Sequence, residues 1–95
     1  MIEIKPEETL LAGQWMFEGG RVVGDDVCER IRLLIDSYLS KIANDVSGWN
    51  TLYVDPRDGR YWELIYPQGE LQGGGPAQLR CLTTDEAEQR YGRLL

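Results

Sequence analysis

Two kinds of apolar spacing divide this chain. Between Asp26 and Ala43, the residues Val27, Ile31, Leu34, Ile35, Tyr38, Leu39 and Ile42 recur at offsets of three and four. That spacing places them on one stripe of a helix. Asp26 followed by Glu29 reads as a capping box. Asp25 adds negative charge at the positive end of the helix dipole, and Lys41 suits its last turn. Asn44 and Ser47-Gly48 then close the predicted helix.

The second kind is alternation with a period of two. Trp49–Val54 and Tyr61–Tyr66 are rich in aromatic and β-branched residues and flank Asp55-Pro56-Arg57-Asp58-Gly59-Arg60. Proline sets the first corner of a turn and Gly59 supplies the left-handed residue that closes it. The pair predicts a hairpin in which Asp55 faces Arg60 and Tyr53 faces Trp62. Trp49, Thr51, Tyr53, Trp62, Leu64 and Tyr66 then share one face, and Asn50, Leu52, Val54, Tyr61, Glu63 and Ile65 the other. Both faces carry apolar residues. The Trp62 face is favoured as core because Glu63 lies on the opposite one.

Weaker signals complete the order. Leu10–Phe17 reads as a strand ending at Gly19-Gly20, with Trp15 and Phe17 on one face and Ala12-Gly13 interrupting the pattern. Pro67 ends the second hairpin strand, Gln68–Pro76 is a polar, glycine-rich loop, and Ala77–Leu82 is a last strand. Thr83 with Glu86 opens a short helix that stops at Gly92. The expected fold is α+β: a small antiparallel sheet of about four strands, one long helix on a face and a short C-terminal helix. Residues 1–95 are read as a single domain, with 1–9 loosely ordered.

Composition narrows the chemistry. Sixteen acidic and ten basic side chains give a formal charge of −6, and there is no histidine. This balance disfavours direct contact with nucleic acid or with an anionic membrane. It would steer a basic protein partner, although the same charge also serves solubility. Without histidine, Ser-His and Cys-His nucleophilic arrangements are impossible. Gly73-Gly74-Gly75-Pro76 lacks the lysine of a phosphate loop. Asp55, Asp58 and Glu63 are the nearest approach to a carboxylate site, but Asp at a turn ordinarily bonds its own backbone. Cys28 and Cys81 match no metal spacing and suit small buried hydrophobes in a reducing compartment, a disulfide being the less favoured alternative. No cofactor and no metal are expected.

A binding surface remains. Interface cores favour Tyr, Trp and Arg, in which the hairpin is dense. Tyr61, Glu63 and the turn residues Asp55, Arg57 and Asp58 are the candidates for exposed contacts, with Asp26, Glu29 and Asp36 on the outer face of the helix as a second patch.

Several of these residues also form a recognisable set. Trp15 with Gly19-Gly20, then Gly48-Trp49-x-Thr51-Leu52-Tyr53, Asp55-Pro56-Arg57-Asp58-Gly59-Arg60-x-Trp62-Glu63, Tyr66-Pro67 and Gly73-Gly74-Gly75-Pro76 resemble immunity protein family 27, over about Leu11 to Gly92. The resemblance implies a bacterial cytoplasmic protein that binds and neutralises a cognate polymorphic toxin domain encoded beside it. It implies no enzyme activity; separately, a monomer or weak dimer is expected, with the oligomeric state left open. Asp55, Arg57, Asp58, Glu63 and the Gly73–Pro76 loop are the matching positions. A nuclease would suit the charge, since substrate phosphates and inhibitor carboxylates compete for one cationic site. The alternative is a small acidic regulatory or adaptor module that binds another protein.

Overall fold

The structure, a computed structural model, describes residues 3–67 and 75–93. Among the described residues, seven strands and two helices follow in the order β1 (Leu10–Ala12), β2 (Trp15–Glu18), β3 (Arg21–Gly24), α1 (Asp26–Ser37), β4 (Ser40–Asn44), β5 (Thr51–Val54), β6 (Tyr61–Ile65), β7 (Gln78–Leu82) and α2 (Thr84–Tyr91). Five strands form one antiparallel sheet in the order β1-β7-β6-β5-β4, and β2 pairs only with β3. The α+β class is as expected, with one strand more in the main sheet and an additional hairpin.

The β5–β6 hairpin has the expected register. Tyr53 lies opposite Trp62, and the Asp55 amide donates to the Arg60 carbonyl at 2.8 Å. Gly59 closes the turn at φ 78°. The favoured face is the one that meets α1. Trp62, Leu64, Tyr53, Leu79 and Leu11 are buried there against Ile31 and Leu34. Trp62 and Leu34 are fully buried, and such side chains each contribute about 1.5–3 kcal/mol by leaving water.

The other face is covered too. Leu52 and Leu82 pack beneath Ala87 of α2, flanked by Tyr61 and Tyr91. The sheet is therefore sandwiched between helices. This explains why both hairpin faces carry apolar residues. The Thr83–Glu86 capping box of α2 forms in both directions, at 3.1 and 2.8 Å.

Helix α1 departs from its predicted bounds. It stops at Ser37, and Ser40–Asn44 turn into the edge strand β4 beside β5. Leu39 is buried as the helical stripe required, but Lys41 and Ile42 sit on an exposed strand. Pairing with β5 overrides a spacing that four more residues would have satisfied equally well as helix. Asn44, Ser47 and Gly48 accordingly shape a strand-to-strand turn, in which Asp45 Oδ1 accepts from the Ser47 and Gly48 amides. The helix starts at Asp26 as expected, but its capping residue is not the one expected. Its cap is Asp25, which accepts from the Cys28 amide at 3.0 Å, so Asp26 and Glu29 form no capping box.

The predicted Leu10–Phe17 strand is broken at Gly13. Its first part joins the main sheet as β1, and its second part leaves as β2 and returns as β3. Residues 3–9 form a strap along the domain, with Ile4 only 2% exposed. Cys28 and Cys81 are both free thiols.

Candidate functional site

The β5–β6 turn and the strap form one hydrogen-bonded unit. The Tyr38 hydroxyl donates to Asp55 Oδ1 at 2.7 Å, and the Arg57 amide donates to the same oxygen at 2.8 Å. Burial, and then the Asp55 carboxylate, push the Tyr38 hydroxyl up to about 12. Arg60 lies over the Trp62 ring, 5.1 Å from its centroid, and donates to the Glu8 carbonyl at 2.7 Å and the Lys5 carbonyl at 3.1 Å. Two bonds of 2.7 Å join Arg30 to the Glu8 carboxylate and hold its pKa down at about 2, against the upward push of burial. Arg57 pairs with Glu3.

Glu63 holds the opposite face together. It is fully buried on β6, where Arg80 reaches Oε1 at 2.7 Å while Arg90 and Tyr91 of α2 both donate to Oε2 at 2.7 Å. Burial raises the carboxyl pKa, but the bonds from Tyr91, Arg90 and Arg80 outweigh it and keep Glu63 below its ordinary value.

Two of the expected contact residues are thus corrected by the structure. Asp55 and Glu63 are not exposed; each is 0% accessible. Their bonds bind elements to one another, and neither carboxylate reaches the surface that a partner would touch. Sequence reasoning missed this because the groups that satisfy Glu63 lie 17, 27 and 28 residues away. Pairing them required α2 to fold back over the sheet.

The remaining candidates fall into separate patches. Asp26, Glu29 and Asp36 are exposed along α1, where Arg32 bonds to both Glu29 (2.6 Å) and Asp36 (3.1 Å). Arg57 and Asp58 are exposed on the hairpin turn, and Asp58 accepts from Arg60 at 2.8 Å. Asp58 and half-buried Tyr61 line one side of an open cleft of 450 Å³, with Cys81, Thr84 and Glu86 opposite. Burial pushes the Cys81 thiol up, which leaves it a poor nucleophile. Of the Gly73–Pro76 loop, Gly73 and Gly74 lie outside the described residues. Gly75 is buried with φ 73°.

A large apolar surface lies elsewhere, on β2 and β3. Phe17 is 78% exposed and Val22 opposite it 55%, while Trp15 and Met16 are also open to solvent. The signal for this element was legible. Phe17-Glu18-Gly19-Gly20-Arg21-Val22 is a two-residue glycine loop between the charged pair Glu18/Arg21 and then the apolar pair Phe17/Val22, and both glycines take the positive φ that a type I′ turn demands (61° and 82°).

Among the described residues no helix is long and apolar enough to cross a membrane, and no group of three metal-ligating side chains converges. Against known proteins, a family model described as Immunity protein 27 matches residues 17–83, well over half the chain. The chain belongs to this family. No curated protein and no solved structure matches it. The matched span of this Immunity protein 27 member runs from the exposed Phe17 through α1 and the hairpin to Thr83. It contains all eight candidate contact residues, the two buried ones included. The resemblance noted in the sequence is thereby borne out. The motif positions Asp55, Trp62, Glu63 and Gly75 prove to be interior positions that hold the scaffold.

Proposed function

We propose that this immunity protein neutralises a cognate toxin domain by stoichiometric binding. Family membership carries the reading, and three observations support it. The carboxylate best placed for chemistry, Glu63, is fully enclosed by its own cations. The exposed candidates Asp26, Glu29, Asp36, Arg57 and Asp58, together with half-buried Tyr61, are polar surface groups spread over α1 and the hairpin. A chain charge of −6 favours a basic toxin such as a nuclease, whose cationic substrate site attracts the same carboxylates. The protein acts in the bacterial cytoplasm, where a delivered toxin would meet it.

Co-expression with the toxin domain encoded beside it supplies the test. Restored growth and a co-purifying complex are expected. Continued toxicity with no complex would refute the reading. A complex that forms at 50 mM salt should weaken at 300 mM if the partner surface is cationic.

A further inference from the structure

The β2–β3 hairpin carries its large apolar side chains in solvent. It is a two-stranded ribbon, of a kind marginal in water unless a larger structure supports it. Among the described residues, its backbone bonds and close contacts to the rest of the domain lie at its base. The Asp25 amide donates to the Gln14 carbonyl at 2.9 Å, and the Gly13 amide to the Ala77 carbonyl at 2.9 Å. Gly13 and Gly24 lie so close to Cys28 that a Cβ would stand 2.4 Å from its Sγ and 2.9 Å from its Cβ, respectively. The base is thereby wedged against the first turn of α1. Beyond the base the ribbon residues are almost all exposed.

The side chains on this projection are the reverse of what solubility favours. Phe17 and Val22 face each other near the tip, with Trp15 behind Phe17 on the same face and Met16 on the reverse. Clustered exposed apolar residues with a charged surround mark interaction sites, and aromatic anchors dominate binding energy. A base held rigid in advance spares a partner the cost of ordering the ribbon.

Charge decides the kind of partner. Glu18 stands at the tip, and Asp26 lies at the base beside the capping Asp25 and the Arg32-paired Glu29. Arg21 is the ribbon's cation and sits directly opposite Glu18. A second copy would bring the same carboxylates and another −6 against these, so self-association is opposed by repulsion. We infer that the β2–β3 arm is the docking element for the toxin domain, inserting Phe17 and Trp15 into an apolar slot rimmed by basic side chains. This rests on the toxin-binding reading above and adds the surface to it.

Isothermal titration against an inactivated form of the neighbouring toxin domain tests the assignment. Phe17→Ala and Trp15→Ala should each weaken binding on the order of 100-fold, the range of a central aromatic anchor. Trp49→Ala, an exposed aromatic at the β4–β5 turn, should change it by less than about threefold, as for a residue outside the hot spot. Melting curves of the variants establish that each is folded; Phe17 is exposed enough to decide the matter alone if Trp15→Ala is not. Wild-type binding with Phe17→Ala within about threefold of it would overturn the arm and leave the toxin reading intact. Failure of the wild type to bind would overturn the toxin reading and the arm's assignment to it. Sedimentation that shows a dimer dissolved by Phe17→Ala would replace the toxin with a second copy.

Discussion

Two regions of this protein follow opposite rules. Around the main sheet, carboxylates lie inside: Glu63 on β6 beneath α2 and Asp55 at the β5–β6 turn beside Tyr38, both without solvent exposure. In the β2–β3 arm, Phe17, Val22, Met16 and Trp15 lie outside. A buried charge is tolerated only where partners surround it, which requires many elements to converge. A cluster of exposed aromatic and aliphatic side chains needs no partner within the chain, and it marks a surface for one elsewhere. The sheet thus holds the fold and the arm presents surface.

The largest test of this contrast strikes the sheet. Glu63→Ala leaves Arg80, Arg90 and Tyr91 without their common acceptor. It should cost about 3 kcal/mol in urea unfolding, the low end for a broken buried pair because both arginines reach solvent. A loss below 1 kcal/mol would show that Glu63 does not hold α2 in place. Gly13→Ala comes next, at about 2 kcal/mol, since its Cβ would meet Cys28 Sγ at 2.4 Å and the Ala77 carbonyl at 2.7 Å. Amide exchange should rise at the base of the arm in that variant. Unchanged exchange there would mean that the wedge does not fix the arm.

The strap lies between these extremes. The folded Glu8 carboxyl titrates at about 2, below its unfolded value of 4.5, so the unfolded chain takes up the proton first as pH falls. The Glu8–Arg30 contribution is therefore complete above pH 4.5 and disappears as pH drops through about 2. Glu8→Gln should cost about 1 kcal/mol at pH 7, as for a bidentate pair near the surface, and flatten the stability profile between pH 4.5 and 2. An equally steep acid limb in the variant would remove Glu8 from the account. The smallest effect belongs to the arm. Phe17→Ala should move stability by no more than about 0.5 kcal/mol. A clearly larger loss would make Phe17 part of the fold and weaken its assignment to a partner.

What could be read in advance follows the range of the interactions concerned. The β5–β6 register was legible because the Pro56–Gly59 turn sets it locally and the alternation fixes which residues share a face. The Thr83–Glu86 box was legible for the same reason. The end of α1 was not: Leu39 fits either a helical stripe or an approach to the sheet, and only the presence of β5 decides that Ser40–Asn44 extend. Of the eight candidate contact residues, Asp26, Glu29, Asp36, Arg57 and Asp58 are exposed and Tyr61 is half-buried. Asp55 and Glu63 are interior, Glu63 because distant residues supply its donors and Asp55 where Tyr38 joins the local Arg57 amide at one oxygen.

Sequence by itself determined the α+β class, the hairpin and its inner face, and the resemblance that the family match later bore out. Each depends on spacing along the chain or on a turn of a few residues. Tertiary structure alone decided which carboxylates are buried and which aromatics are left in water. That outcome depends on where α2 and the strap come to rest on the sheet. A charge is admitted to the interior only by neighbours the fold brings to it, and an aromatic stays outside when no element of its own chain arrives to cover it.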